Sequence, residues 1–305
     1  MKRGNYPKIS IVIHCYNREN YIAETLDSIL SQNYPNLELI VIDDGSTDQS
    51  WNIITTYKKR LAYTEQLQGF RESPVEALNA GLTRATGEIM GWLNTKNTLL
   101  PESLFTIAEI FKQCGDIEWI TGVGTVIDGK SKIIKITHLK KNIYDYLIKN
   151  RGIIQQESTF WRHSLWEKAG DRLPNKYRWS FDTALWTKFF PRAELYHVDV
   201  QLGTYRKVPE STSIASRKVF IDNTFNILDD FHRDTPLRTL LLAQVYRMLR
   251  WFRIILRYIP DHIYIHLPIL RFFSYPVIHT YKAAEGWGFN ETRENPFRDV
   301  KIIRL

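Results

Sequence analysis

Two cysteines, Cys15 and Cys114, are too few for a disulfide framework, and both stand in apolar surroundings typical of reduced thiols. The same count excludes cysteine-rich zinc sites and leaves a histidine–carboxylate metal site open. Nowhere do about 18 apolar residues run uninterrupted, which argues against a membrane-spanning helix. The basic opening MKRGNYPKIS leads straight into ISIVI, with neither a long apolar stretch nor a small-residue cleavage site. No signal peptide is read there, and a cytoplasmic location is the default expectation. Internal repeats and low-complexity tracts are lacking too. Acidic residues are the scarcer charge: 33 Asp and Glu face 41 Lys and Arg in 305 residues, a formal +8. What is present, 44% hydrophobic residues, suits one large domain or a domain with an appendage and excludes disorder. The basic excess points to an acidic partner: a phosphate-bearing ligand, nucleic acid or an anionic membrane face.

The first hundred residues alternate strand and helix patterns. Ile9–Ile13 is a β-branched run, and Ile22, Leu26, Ile29 and Leu30 recur at helical spacing. Tyr34-Pro35-Asn36 breaks that helix before a second strand, Leu37–Ile42. Asp43–Ser46 turns the chain, and a helix is expected over Thr47–Lys59, opened by hydroxyl and carboxylate residues. A third helix near Ser73–Thr86 leads through Gly87 into the strand Glu88–Leu93. This order predicts right-handed βαβ crossovers and an open, mostly parallel α/β sheet. Ligands of such sheets bind beyond the carboxyl ends of the strands, so His14–Asn17, Asp43–Ser46 and Asn94–Asn97 are the expected site loops. Further on, a helix is expected over Glu102–Gln113 and strands at Trp119–Ile127 and Lys132–Ile136. From about Val219 the chain turns helical, aromatic and basic, dividing it into residues 1–218 and an extension, 219–305.

The strings SIVIHCYNRENYIAETLDSILSQNYPNLELIVIDDGSTDQS, ALNAGLTRATGEIMGWLNTKNTLLP, QQESTFWRHSLWEKAG, SFDTALW and YRKVPESTS follow one another in order. Together they resemble family 2 glycosyltransferases, nucleotide-sugar-dependent inverting enzymes of the GT-A fold. The resemblance covers roughly residues 7–215. It implies a Rossmann-like open sheet flanked by helices, a nucleotide-diphosphate-sugar donor (a UDP-sugar first), and a glycan or lipid-linked glycan acceptor. It also implies that Asp44 anchors the nucleoside, with His14, Tyr16 and Asn17 in the loop that meets base and ribose. Helix capping is the alternative role for Asp44, with Asp43 and Ser46 as competing caps, and Tyr16 could instead stack within the fold. Arg71 and Arg206 match positions facing the diphosphate, each with a surface-structural alternative. Asn79 and Gly87 match scaffold positions.

The third strand departs from the pattern. Many relatives read WLNSDD, whose carboxylates bind the cation bridging the donor diphosphate; this chain reads Trp92-Leu93-Asn94-Thr95-Lys96-Asn97. A second metal-linked position, the His of a YRxH string, is Val208 here. Mg²⁺ or Mn²⁺ therefore lacks its usual acidic ligands, and no metal ligand is assigned. Three readings stand. Lys96 supplies the positive charge that a cation supplies elsewhere, with Asn94 and Asn97 beside the donor. Alternatively a metal remains, held by Asn97, water and phosphate oxygens. Or the chain is a silent nucleotide-sugar-binding or scaffold protein of a polysaccharide assembly complex.

Inverting transfer needs a carboxylate to take the acceptor hydroxyl proton, and Asp182 in SFDTALW matches that position. Capping the helix Thr183–Phe190 is its alternative role, and the two are compatible. Gln155 and Gln156 match a segment lining the acceptor side, while Trp161 and Trp166 are read as core. Residues 233–282 hold seven Arg and one Lys against Asp234 and Asp261, with Arg247, Arg250 and Arg257 on one helical stripe. Beside them Leu249, Phe252, Ile255 and Leu256 offer apolar surface. A basic, aromatic, amphipathic segment suits an anionic bilayer at the inner face of the cell membrane, and the alternative is a helical bundle packed on the first domain. Nucleic acid is not an expected partner: no helix-turn-helix, zinc-finger or RNA-binding signature accompanies the basic surface.

Overall fold

The computed structural model describes residues 6–68, 74–150, 154–177, 180–208, 214–264, 266–283, 286–296 and 302–304. Its first half alternates as the apolar pattern predicts: β1 (Ile9–Cys15), α1 (Ile22–Leu30), β2 (Leu37–Asp43), α2 (Ser50–Thr56), β3 (Tyr63–Gln66), α3 (Pro74–Leu82) and β4 (Ile89–Asn94). β1 pairs in parallel with β2 on one side and β4 on the other, Val12 facing both Ile40 and Trp92 in register. Central parallel strands are covered on both faces, which is why ISIVIHC is apolar almost throughout. Side chains alternate across the sheet: Val12, Ile40, Ile42 and Trp92 join one core layer, while Ile11, Ile13, Leu39 and Val41 join the other. A Cβ at Gly81 in α3 would collide with Val12, so that helix lies directly on β1.

β3 was not expected. Its YTEQ is short, half-exposed and polar, so neither period nor hydrophobicity marks it; parallel pairing with Ile40–Asp43 makes it an edge strand. The helix expected over Thr47–Lys59 is shorter, running as α2 and then a 3₁₀ turn over Lys58–Arg60.

After β5 (Thr98–Leu99) and α4 (Ser103–Gln113), the run expected as one strand over Trp119–Ile127 divides into β6 (Trp119–Thr121) and β7 (Gly124–Ile127). The two belong to different sheets. The chain continues through β8 (Ile133–Thr137), α5 (Ile143–Leu147), β9 (Thr159–Arg162), α6 (His163–Lys168), α7 (Phe181–Phe189), β10 (Leu195–Val198) and β11 (Gly203–Arg206). Trp92, Trp119, Trp161 and Trp186 pack together beneath α7, with Trp92 and Trp186 stacked at 5.9 Å. Trp161 and Trp166 are buried.

The segment beyond residue 213 carries α8 (Ile214–Asp234), α9 (Leu237–Trp251), α10 (Arg253–Leu256), α11 (Asp261–Tyr264) and α12 (Pro268–Arg271). It then departs from the helical expectation. β12 (Tyr275–Ala283) and β13 (Gly286–Glu294) form an antiparallel hairpin, followed by β14 (Ile302–Arg304). β12 pairs in parallel with β10, extending the main sheet to nine strands in the order β13-β12-β10-β6-β9-β4-β1-β2-β3. β14 edges a second sheet, β14-β8-β7-β11-β5. The alternating YPVIHTYK is masked by the basic helical segments around it.

A buried polar knot ties this segment to α5. Asp145, wholly inaccessible, accepts from Tyr275 Oη at 2.7 Å, Tyr246 Oη at 3.2 Å and Asn150 Nδ2 at 2.6 Å, with Arg250 Nη1 3.6 Å away. Arg250 therefore turns inward, correcting its expected place on an exposed stripe with Arg247. The outer face is apolar: Leu237, Leu241, Met248, Trp251, Ile254 and Ile255 are exposed, Trp251 by 83%. Arg238, Arg247, Arg253 and Arg271 are exposed among them. No described helix is long and apolar enough to cross a membrane.

Candidate active site

Strand order creates a crevice. Crossovers run outward from β1 to β2 and β3, then return to β4 on the other side of β1, so the topological switch point falls between the carboxyl ends of β1 and β4. Thr95 Oγ1 donates to the His14 carbonyl at 3.1 Å and fixes the two strand ends to one another.

On the β1 side, Asp44 is buried and its N–H donates to the Cys15 carbonyl at 2.8 Å. His14 Nε2 lies 3.7 Å from Asp44 Oδ2 and is itself a buried nitrogen with no hydrogen-bond partner among the described residues. Asp43 shapes the turn instead. Its carboxylate accepts from Ser46 N at 2.8 Å, Ser46 Oγ at 2.6 Å and Gln66 Nε2 at 3.0 Å. Capping at the start of α2 falls to Asp48 and Glu19, which accept from Ser50 N and Gln49 N. Tyr16 projects at the rim, 37% exposed. Asn17, expected at base and ribose, is engaged by the fold through its backbone and its Oδ1. Its backbone is left-handed (φ 49°), its N–H donates to Ser46 Oγ, and its Oδ1 accepts from Thr47 N at 2.8 Å. Arg71 lies outside the described residues.

On the β4 side, residues 94–97 form a tight turn in which Lys96 N and Asn97 N both donate to the Asn94 carbonyl. Asn94 Nδ2 is 3.5 Å from Gln156 Oε1, and the partly buried Lys96 ammonium lies 5.1 Å from the Tyr205 ring centre. Asn97 is fully buried; its Nδ2 donates to Glu157 Oε1, and its Oδ1 accepts from Arg206 N at 2.9 Å. Arg206 also corrects the sequence expectation. Its inaccessible guanidinium is committed to the Lys96 carbonyl (2.7 Å), the Asp128 carbonyl (3.1 Å), Ser131 Oγ (2.9 Å) and Glu24 Oε2 (2.6 Å), leaving it no diphosphate to meet. Gln155 is likewise turned into the fold, its Nε2 donating to the Thr125 and Gly203 carbonyls, and Gln156 Nε2 donates to the Trp92 carbonyl.

Two acids complete the site. Asp182, in the first turn of α7, is partly buried and accepts from Thr183 N at 2.7 Å. Burial pushes its carboxyl up to about 6, against the pull of that N–H. A base near neutrality is matched to taking a hydroxyl proton. Glu157 was missed by sequence reasoning, although it stands between Gln156 and Ser158. Burial, and secondarily the charge of Asp182, push it up to about 7, while its own backbone N–H and then Lys96 and the Asn97 hydrogen bond pull it down. The signal available was an acid inside the otherwise uncharged run IIQQESTF.

This donor set does not fit a divalent cation. A hard cation wants several anionic or carbonyl oxygens. Asn97 Oδ1 is spent on Arg206 N, and an ammonium stands at position 96. No group of three or more His, Cys, Asp or Glu with metal-binding geometry occurs among the described residues.

The glycosyl transferase family 2 model matches residues 10–189, so the chain belongs to that family of glycosyltransferases. Among curated relatives it is 27% identical over 225 residues to TuaG of Bacillus subtilis, named for teichuronic acid biosynthesis, covering 70% of this chain and 83% of that one. It is 34% identical over 134 residues to an uncharacterized glycosyltransferase of Nostoc sp., covering 42% of this chain but only 39% of that protein. Residues 1–349 of TarS from S. aureus, in complex with UDP, superpose with a TM-score of 0.61 at 20% identity, covering 80% of this chain and 72% of that one. The mannosyltransferase PcManGT of Pyrobaculum calidifontis, solved with GDP-Man and Mn²⁺, superposes at 0.58 and 20% identity, covering 81% and 72%. At those identities the two superpositions show the fold, GT-A.

Glu157 binds its proton more tightly folded than unfolded, so its share of stability is present at low pH. That share is lost as pH rises from the unfolded carboxyl range, near 4.5, through about 7. Glu157→Gln keeps an acceptor for Asn97 Nδ2 and removes the titration. Urea unfolding at about pH 5 and about pH 8 is expected to show the wild type losing about 2 kcal/mol more than the variant between the two. Parallel changes in the two proteins would refute the buried, raised carboxyl.

Proposed function

We propose that the protein transfers a sugar, with inversion, from a nucleotide-diphosphate-sugar to a hydroxyl of a glycan or lipid-linked glycan in cell-surface polysaccharide synthesis. The observation that carries this reading is a carboxyl of raised proton affinity, Asp182, on a helix start packed over the carboxyl end of β4. There it would accept the acceptor hydroxyl proton as that oxygen attacks the anomeric carbon from the face opposite the diphosphate. Asp44 and His14 would receive the nucleoside, and His14 Nε2, without a hydrogen-bond partner among the described residues, supports a ligand there. A UDP-sugar is the first donor to test, since UDP occupies the similarly folded TarS. Lys96 would offset the charge of the departing diphosphate in place of a cation.

The expected assay outcome is transfer or donor hydrolysis from one member of a nucleotide-sugar panel, unaffected by EDTA. Asp182→Asn should lower kcat by about 10²–10⁴-fold and Lys96→Ala by about 10²-fold, both folded by circular dichroism. Wild-type turnover in Asp182→Asn removes the base. Nucleotide-sugar binding without turnover on any acceptor favours the silent scaffold instead.

The basic, apolar outer face of α9–α12 supports a place on an anionic bilayer, where a lipid-linked acceptor presents both a membrane and negative charge. Aromatic and aliphatic side chains would enter the interface while Arg238, Arg247, Arg253 and Arg271 meet headgroups, each worth about 1 kcal/mol. The protein is expected to float with vesicles of equal phosphatidylcholine and phosphatidylglycerol at low salt, and not with phosphatidylcholine alone. Trp251→Glu with Ile255→Glu should abolish flotation; binding undiminished in that variant sinks the membrane reading.

A further inference from the structure

A serine just before a helix ordinarily caps it: from an extended backbone, its hydroxyl accepts from the N–H groups of the first turn. Ser180 precedes α7 and does not. Its backbone is left-handed, φ 64° and ψ 23°, and its hydroxyl caps no N–H of the helix. Glycine fills that conformation without strain, whereas a serine persists there only where its surroundings hold it.

The hold comes from α8. The buried Ser180 Oγ lies 3.1 Å from the Phe220 carbonyl oxygen and 2.9 Å from Thr224 Oγ1, which itself donates to that carbonyl at 2.8 Å. One turn along α7, Ala184 packs with Ile227 of α8 and with Tyr177 in a small core of their own. Phe220, Thr224 and Ile227 stand at i, i+4 and i+7, so a single face of α8 makes these contacts. Tyr177 Oη also donates to Asp230 at 2.6 Å, which ties the residues before α7 to the same helix.

Asp182 stands between the two grips. Ala184 is two residues beyond it, about 200° around a helix, so α8 holds the face turned away from the Asp182 side chain. On another side Phe181 meets Trp92 of β4, ring centres 6.1 Å apart. The first turn of α7 is thus set between β4 and α8. The Asp182 carboxylate, accepting from Thr183 N at 2.7 Å, goes where that turn goes. α8 itself lies beyond residues 10–189, the part that the family model matches.

We propose that α8 is a clamp that positions Asp182: the hydroxyls of Ser180 and Thr224 fix the left-handed start of α7, and with it the angle at which the Asp182 carboxylate faces an acceptor hydroxyl. Both are positioning residues, acting through the helix start. The clamp deepens the reading of Asp182 as the base and rests on it.

The test is kcat per donor-binding site together with the donor dissociation constant, both measured on the full chain with the accepted nucleotide-sugar. Ser180→Gly relieves the backbone but deletes the hydroxyl. Its kcat should fall about 10-fold to 10²-fold, with donor affinity unchanged within about twofold. Thr224→Val keeps the shape without the hydroxyl and should lose about threefold or more, while Thr224→Ser should turn over like the wild type. Wild-type kcat in Ser180→Gly overturns the clamp. Equal kcat in Thr224→Val and Thr224→Ser, or donor affinity falling in step with kcat, does the same. Should Ser180→Gly fail to fold, the Thr224 pair decides. Asp182→Asn, assayed alongside, separates the two readings. Wild-type turnover in that variant, or no turnover by the wild type itself, removes the base and the clamp together. An inactive Asp182→Asn beside an unimpaired Ser180→Gly removes the clamp alone.

Discussion

The side-chain amide of Asn97 holds two sheets and two halves of the crevice in register. Its oxygen takes the Arg206 N–H from β11 and its nitrogen reaches Glu157 before β9, while its carbonyl accepts from Thr25 on α1 at 3.0 Å. Only a side chain with both a donor and an acceptor can make this bridge; a carboxylate would set a second negative charge against Glu157. The rest of the turn follows. Arg206, its N–H fixed, sends its guanidinium to the Lys96 carbonyl, and Lys96 is left with its ammonium at the crevice edge above Tyr205.

Position 97 thus serves packing, and the positive charge of the site comes from the chain itself. A lysine is a point charge without coordination geometry, so on the proposed reading donor orientation falls to Asp44, buried just after β2, and to the half-buried His14 near the end of β1. Across the crevice the same arrangement sets acid strengths. Glu157 and Asp182 both lie deep enough for burial to raise their proton affinity, and at Glu157 its own backbone N–H, Lys96 and Asn97 pull the other way.

Much of this was legible in the sequence. The β1, β2 and β4 runs are buried on both faces and so read as unbroken apolar strings, and their order located the crevice. The helix start at Asp182 was legible as a pattern. The edge strand β3 was not, since an edge needs no apolar alternation, and β12 was hidden because a strand supplied late by the chain carries no local sign of its distant partner β10. Arg206 and Gln155, expected at ligands, are committed to the fold. Polar residues near a crevice look like ligand contacts until the backbone groups that they satisfy are visible. Glu157 failed in the reverse sense: its raised proton affinity comes chiefly from burial in the fold, which no local pattern shows.

The most direct test of the account is the affinity for the accepted nucleotide-sugar donor, measured by equilibrium binding with EDTA and with added Mn²⁺. With Lys96 as the proposed counter-charge and Asn97 spent on packing, the dissociation constant should agree within about twofold in the two conditions, a difference under about 0.5 kcal/mol. Tightening by about tenfold or more with Mn²⁺, reversed by EDTA, would contradict it.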